Sequence, residues 1–256
     1  MSANSSVTTE DETQKEETAV RVENVDFFYP GKVQALYNLS LVLPRGCRCL
    51  LVGDNGAGKT TLLKLLAGRT STLYGNLTVL DHPADFSPSL NFRRAYLGGD
   101  WGKRVVPFAG VTALTADIAV HEMMSKLQAE FPERRKKLFD LLQIDENWRM
   151  HQVSDGQRRR VQIMLNLLRP VDVLFADEVT TDLDVVTRMD LMAFLKRETE
   201  ERGMSIVYTT HIFDGLDGWA THMAYLAAGH LVEFGPVSKW PSLVRDVIAA
   251  AVGIAA

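Results

Sequence analysis

The run Gly53-Asp54-Asn55-Gly56-Ala57-Gly58-Lys59-Thr60-Thr61 gathers three glycines, one cation and two hydroxyls into nine residues. Glycines let the main chain curl until successive N–H groups point at one anion. Gly53, four residues, then Gly58-Lys59-Thr60 is the pattern of a phosphate-binding loop. In such a loop Lys59 reaches the β- and γ-phosphates and the Thr60 hydroxyl can ligate Mg²⁺. An apolar run ("CRCLLV") precedes it and an apolar-periodic stretch follows. Strand, loop, helix is therefore expected, with the helix's positive end facing the anion.

A second set of groups sits beyond residue 170. "VDVLF" runs into Ala176-Asp177-Glu178, so the carboxylates emerge at the end of an apolar strand, where α/β sheets place their ligands. Asp177 is expected to hold Mg²⁺, directly or through water. Glu178 is expected to orient or deprotonate an attacking water. His211 closes "SIVYTTH" in a similar way. It can donate to a γ-phosphate, although a lone histidine is more often structural. Tyr29 ends a strand ahead of the loop; it can stack on a base or pack in the core. Ser154-Asp155-Gly156-Gln157, at the head of another helical pattern, reads as a second phosphate-recognising turn.

The elements that must carry these groups follow from periodicity. Residues 20–30, 36–44, 47–52, 75–80 and 95–99 read as strands, as do "VDVLFADE", "SIVYTTH" and two segments around "MAYLAAGHLVEF". Residues 111–150 switch to i, i+3, i+4 spacing, a helical insert split by Pro132. Further helices are expected after Ser154, over 185–202 and near Pro241. Strands alternating with helices imply α/β, a mostly parallel, helix-covered sheet.

The remaining composition narrows the class. The formal net charge is −4, and Glu10, Asp11, Glu12, Glu16 and Glu17 against Lys15 account for all of it. The rest of the chain is near neutral, so a nucleic-acid groove is not expected. Residues 1–18, rich in Ser, Thr and Glu, are expected to form a disordered acidic tail. They resemble neither a secretory signal nor a presequence. No apolar run reaches the ~18 residues of a membrane span. Cys47 and Cys49 lie two apart on one face of a strand, which opposes a disulfide and fits a reducing compartment.

Taken in order, the phosphate loop, helical insert, Ser-x-Gly-Gln, Asp-Glu and histidine resemble the ATP-binding-cassette ATPases over about residues 20–235. The resemblance makes Val153-Ser154-Asp155-Gly156-Gln157 the signature motif, Thr181-Asp182-Leu183-Asp184 the D-loop and His211 the switch histidine. It implies ATP and Mg²⁺ as ligands and a P-loop core with an antiparallel β subdomain. It also implies a cassette over 19–236, a helical subdomain over about 105–168 and a helical extension over 237–256. Two cassettes of that family pack head to tail, each signature turn reading the nucleotide on the other. Ser154, Gly156, Gln157 and Asp184 are thereby assigned to nucleotide binding, and a second cassette, most simply a second copy of this chain, is implied as partner.

Two positions depart from the pattern. Asp155 stands where the family carries glycine and is expected to point outward or cap the helix. The family's Q-loop glutamine is replaced by Gly99 or Asp100, depending on alignment. Asp100 can still ligate metal through water, but the loss weakens coupling to a membrane subunit. "NWRMHQVSDGQRRRVQI", "DEVTTDLDV" and "YTTHIFDGL" resemble more closely a eukaryotic subgroup without membrane domains. That subgroup includes plant cytosolic I-type proteins and a yeast protein associated with a transcription and mRNA-decay complex of the catabolite-repression/NOT kind. It implies an ATPase regulator or adaptor in the cytoplasm, with the nucleus as a further location. The alternative is a nucleotide-binding subunit energising a membrane transporter.

Because the acidic tail lacks core-forming residues, truncation up to residue 18 is expected to leave ATPase activity intact. A truncated protein that stays folded and loses turnover would contradict this.

Overall fold

The computed structural model describes residues 18–31, 33–85, 87–99, 117–213, 215–216 and 218–239. Strands β1 (Thr18–Tyr29), β2 (Val33–Pro44), β4 (Tyr74–Val79) and β5 (His82–Pro83) form an antiparallel sheet in the order β2-β1-β4-β5. Strands β3 (Arg48–Val52), β6 (Arg94–Leu97), β7 (Val173–Asp177), β8 (Ser205–Thr209), β9 (His222–Ala227) and β10 (His230–Pro236) form the second sheet, ordered β10-β9-β3-β8-β7-β6. All its neighbours are parallel except β10 and β9. The helices are α1 (Lys59–Leu66), α2 (Ser125–Glu130), α3 (Pro132–Leu142), α4 (Asp155–Leu167) and α5 (Val185–Arg202). The expected class, α/β with an antiparallel β part and a helical part, is the one observed.

Strands β3, β7 and β8 are buried along their whole length, as parallel strands covered on both faces must be. The pleat then sorts their side chains. Leu50, Val52, Leu174, Ala176, Ile206 and Tyr208 join a core with α4 and α5. Cys49, Leu51, Val173, Phe175 and Val207 join a core with α1 and the antiparallel sheet. Cys47 and Cys49 are both in that second core, free and buried. Burial pushes the Cys47 thiol up to about 12 and raises Cys49 well above its ordinary value, so neither is a reactive thiolate.

Three boundaries differ from the sequence reading. The first strand begins at Thr18, inside the expected tail, because Thr18 pairs with Pro44 and is buried. The hairpin runs back to Tyr29 and Val33, which lengthens β2 beyond the expected start at 36. In the helical insert, residues 117–124 form turns rather than a helix. Val120 and Met150 bond to Trp148 and Ile118 across a bridge between Ala119 and Arg149. That non-local pairing overrides the local periodicity, and Met124, in a left-handed conformation, marks where α2 begins. The break at Pro132 is present, with proline at the first turn of α3. The helix expected near Pro241 lies outside the described residues, as do residues 1–17 of the tail. Among the described residues no helix is long and apolar enough to cross a membrane.

An ion pair ties α3 of the helical part to α5. Arg134 of α3 donates two bonds, 2.9 and 2.7 Å, to Glu198 of α5. A third bond goes from Arg134 to the Leu167 carbonyl at the end of α4, and Arg202 also contacts Glu198 at 2.5 Å. Burial pushes the Glu198 pKa up, but hydrogen bonds and charge from Arg134 and Arg202 outweigh it and leave the carboxyl below its usual range. A carboxyl depressed in the folded state stabilises above its unfolded pKa, and that contribution is lost as pH falls through the folded value. Glu198→Gln, which leaves the partly buried Arg134 without its counter-charge, is therefore expected to cost about 1.5–3 kcal/mol. The loss should show in urea melts at neutral pH and narrow below about pH 4; equal melts at neutral pH would contradict it.

Candidate nucleotide site

The carboxyl ends of β3, β8 and β7 lie side by side, because these three strands are neighbours in parallel. The loop after β3 opens α1, the chain after β8 reaches His211, and β7 ends in Asp177 and Glu178. Three segments far apart in the chain thus deliver their polar residues to one edge.

Gly58 caps α1 with φ of 101°, a left-handed conformation that favours glycine. A Cβ there would lie 2.7 Å from Leu36 and 2.9 Å from the Ala35 carbonyl, so β2 also requires glycine. Lys59 is buried. Its ammonium donates to the carbonyls of Gly53 at 2.5 Å and Asp54 at 3.0 Å. Burial lowers its pKa, while Glu178, Asp177 and Asp54 push the other way. A partly desolvated cation facing two carboxylates and a glycine loop is the donor set a polyphosphate with a divalent cation requires. Asn55 and Gly56 are exposed on the loop and Ala57 is buried beneath it. Thr60 is exposed, whereas Thr61 is buried and bonds to the Tyr29 hydroxyl at 2.8 Å. That bond sets Tyr29 beside α1 with 43% of its surface open, resting edge-on against Phe27. It is neither a core tyrosine nor a free one.

Asp177 is buried and accepts a 2.8 Å bond from Thr209 and a longer one, 3.4 Å, from Tyr96. Among the described residues no group of three His, Cys, Asp or Glu could hold a metal. Thr60 and Asp177 would instead share Mg²⁺ with nucleotide oxygens and water, which suits an ion that dehydrates reluctantly. Asp100, the other candidate ligand, lies outside the described residues.

Glu178 has φ of 52°, left-handed for a residue that rarely adopts it. Its N–H bonds to the Thr209 carbonyl at 3.1 Å and the Thr209 hydroxyl at 3.2 Å. Its carboxylate meets His211 Nε2 at 2.7 Å. His211 is thus directed at Glu178. Sequence reasoning passed over Thr209, although a polar residue ending a buried strand was the available signal.

The Ser154 turn stands apart. Ser154 caps α4, its hydroxyl accepting from the Gln157 N–H at 3.2 Å, and the Gln157 side-chain oxygen accepts from the Ser154 N–H at 2.9 Å, a capping box. Asp155 points outward, 89% exposed, and pairs with Arg158 at 2.7 Å. Ser154, not Asp155, is the cap. A Cβ on Gly156 would lie 2.9 Å from the Asp182 carbonyl. Within this chain the close approach at Gly156 is therefore to backbone of the D-loop. Asp184 caps α5 through the Thr187 N–H and hydroxyl, and pairs with Arg160 at 2.6 Å; the Thr187 bonds, ahead of Arg160, hold its pKa low. Among the described residues no hydrogen bond or ion pair joins the Ser154 turn to the phosphate loop.

Comparison with known proteins agrees with this geometry. The model of the ABC transporter family matches residues 36–181. This chain belongs to that family. It is 50% identical over 216 residues to ABC transporter I family member 21 of Arabidopsis thaliana, across 83% of this chain and 76% of the relative. It is 39% identical over 231 residues to CCR4-associated factor 16 of Saccharomyces cerevisiae, across 84% of this chain and 78% of that one. The ATP-binding subunit of an ABC transporter shares its fold, with a TM-score of 0.76 and 18% identity, covering 91% of this chain and 99% of that structure. A dimeric ATP-binding cassette bound to ADP and Pi does so at 0.70 and 20%, covering 85% and 98%.

In this member of the family, Lys59→Ala removes the cation facing the loop. Charge-assisted bonds are worth about 1.5–3 kcal/mol, so ATP affinity is expected to fall roughly 10- to 100-fold in equilibrium titration. Unchanged affinity would remove Lys59 from the site.

Proposed function

We propose that this chain is an ATP hydrolase that works as a head-to-tail pair of cassettes and serves as a regulator or adaptor in a gene-expression complex. The observation that carries hydrolysis is the 2.7 Å pairing of Glu178 with His211 beside Asp177 and Lys59. A carboxylate at that edge can accept a proton from water as its oxygen bonds to the γ-phosphorus and the bond to the β-phosphate oxygen breaks. His211 holds the carboxylate in place, and Lys59 offsets charge on the phosphates. Thr60 and Asp177 would hold Mg²⁺, which would further neutralise charge on the phosphates.

Pairing of two cassettes is supported by the Ser154 turn. It is exposed, presents the N-terminus of α4 and makes no bond to its own phosphate loop. Each exposed turn fits a nucleotide on another copy. The adaptor role rests on the yeast relative, named as associated with CCR4, and on the absence of the Q-loop glutamine. A cytoplasmic protein, present also in the nucleus, is the corresponding location. Purification of the Glu178→Gln protein with ATP is expected to recover gene-expression components; an integral membrane partner would favour a transporter subunit.

Glu178→Gln is expected to keep ATP bound and slow turnover by roughly 10²–10⁴-fold, accumulating an ATP-dependent dimer. Gly156→Asp would also collide with Asp182, so Ser154→Asp is the cleaner probe of pairing. Aspartate retains the helix cap but adds an anion against the incoming phosphate. In sedimentation at saturating ATP, Glu178→Gln should be dimeric and its Ser154→Asp derivative monomeric with near-normal ATP affinity. Two dimeric samples would mean that this turn does not read the second nucleotide.

A further inference from the structure

A groove of about 620 Å³ opens between the end of α1 and the helical part, away from the phosphate loop. Arg69, Arg94, Lys126 and Arg169 line it against one acid, Glu130. Glu130 already pairs with Arg169 at 3.2 Å. Among the described residues the Arg94 side chain donates to the Leu66 and Ala84 carbonyls. Arg69 lies over the Tyr96 ring, and neither it nor Lys126 has an acidic partner among the described residues. Burial, then the neighbouring Arg69 charge, lower the Arg94 pKa against a weaker opposing pull from Asp85. The groove thus concentrates an excess of positive charge, four cations against Glu130 inside it and Asp85 beside Arg94, in a chain that is otherwise near neutral beyond its first residues.

Those first residues hold the complementary charge, and they start close by. The Ala19 carbonyl accepts from Leu80 N–H, and Ala84 N–H bonds to Leu77, which faces Val22 in β1. With strands about 4.8 Å apart and about 3.3 Å per residue, Thr18 stands roughly 16 Å from Ala84, the carbonyl that Arg94 holds. Residues 10–17 can extend about 26 Å. We infer that the acidic segment Glu10–Glu17 of this chain docks in the groove, its carboxylates against Arg69, Arg94 and Lys126. The contact is electrostatic and individually weak. A short tether supplies an effective concentration near the millimolar range, enough to populate it. The occupant bridges α1 and the helical part, so it competes with any anionic segment of another protein for the same surface.

The buried native cysteines allow a single spin label through Thr13→Cys in the full chain. In about 0.1 M salt the amide signals of Arg69, Lys126 and Leu127 should broaden. In about 1 M salt, where the Debye length shrinks from about 10 to about 3 Å, the broadening should vanish. It should also vanish in two variants: Arg69→Glu with Lys126→Glu, and Glu10→Gln with Asp11→Asn and Glu12→Gln. The second leaves the folded domain untouched. Broadening absent from the groove, or persisting in either variant, would overturn the inference.

Discussion

The contact between Glu178 and His211 sets the strictest condition on this structure. It joins the residues just beyond two strands, and it forms only if β7 and β8 pair in one register. That register sets Asp177 opposite Thr209. A slip by one residue would exchange each strand's side chains between the two cores, so both cores hold the site in place. Glu178 also occupies a backbone conformation that costs on the order of 1–3 kcal/mol outside glycine. Thr209 offsets it by taking the Glu178 N–H on both carbonyl and hydroxyl while giving its own proton to Asp177. One threonine thus fixes the Asp177 carboxylate and the backbone that carries Glu178.

From Glu178 a short chain of contacts leads to the Ser154 turn. The Thr181 hydroxyl returns to the Glu178 carbonyl at 3.0 Å. Asp182 then pairs with Arg159 of α4, which also holds the Gly98 carbonyl and Gln162. Asp184 pairs with Arg160. The arginine run after the signature turn is therefore occupied within the protein, each side chain with its own acid. Any displacement of Ser154 by a second cassette bears directly on the backbone that carries Glu178.

What was legible in the sequence was local. The phosphate loop, the buried runs of β7 and β8 and the helix starting after Ser154 each depend on a few adjacent residues. What was not legible depended on distant partners. Residues 117–124 carry helical spacing but pair with 146–150. Gly156 looked like a phosphate position, yet inside the chain it faces Asp182, twenty-six residues away in sequence. Thr209 drew no notice because a buried threonine gains meaning only beside β7. Periodicity cannot report which strand lies alongside.

The central claim is that Glu178 and His211 act as a unit in hydrolysis. A double-mutant cycle on single-turnover ATP hydrolysis measures this directly. Glu178→Gln, His211→Ala and the double variant should all lose a similar factor, because residues acting together are grossly non-additive. Losses that multiply in the double variant would show two independent roles and contradict the account.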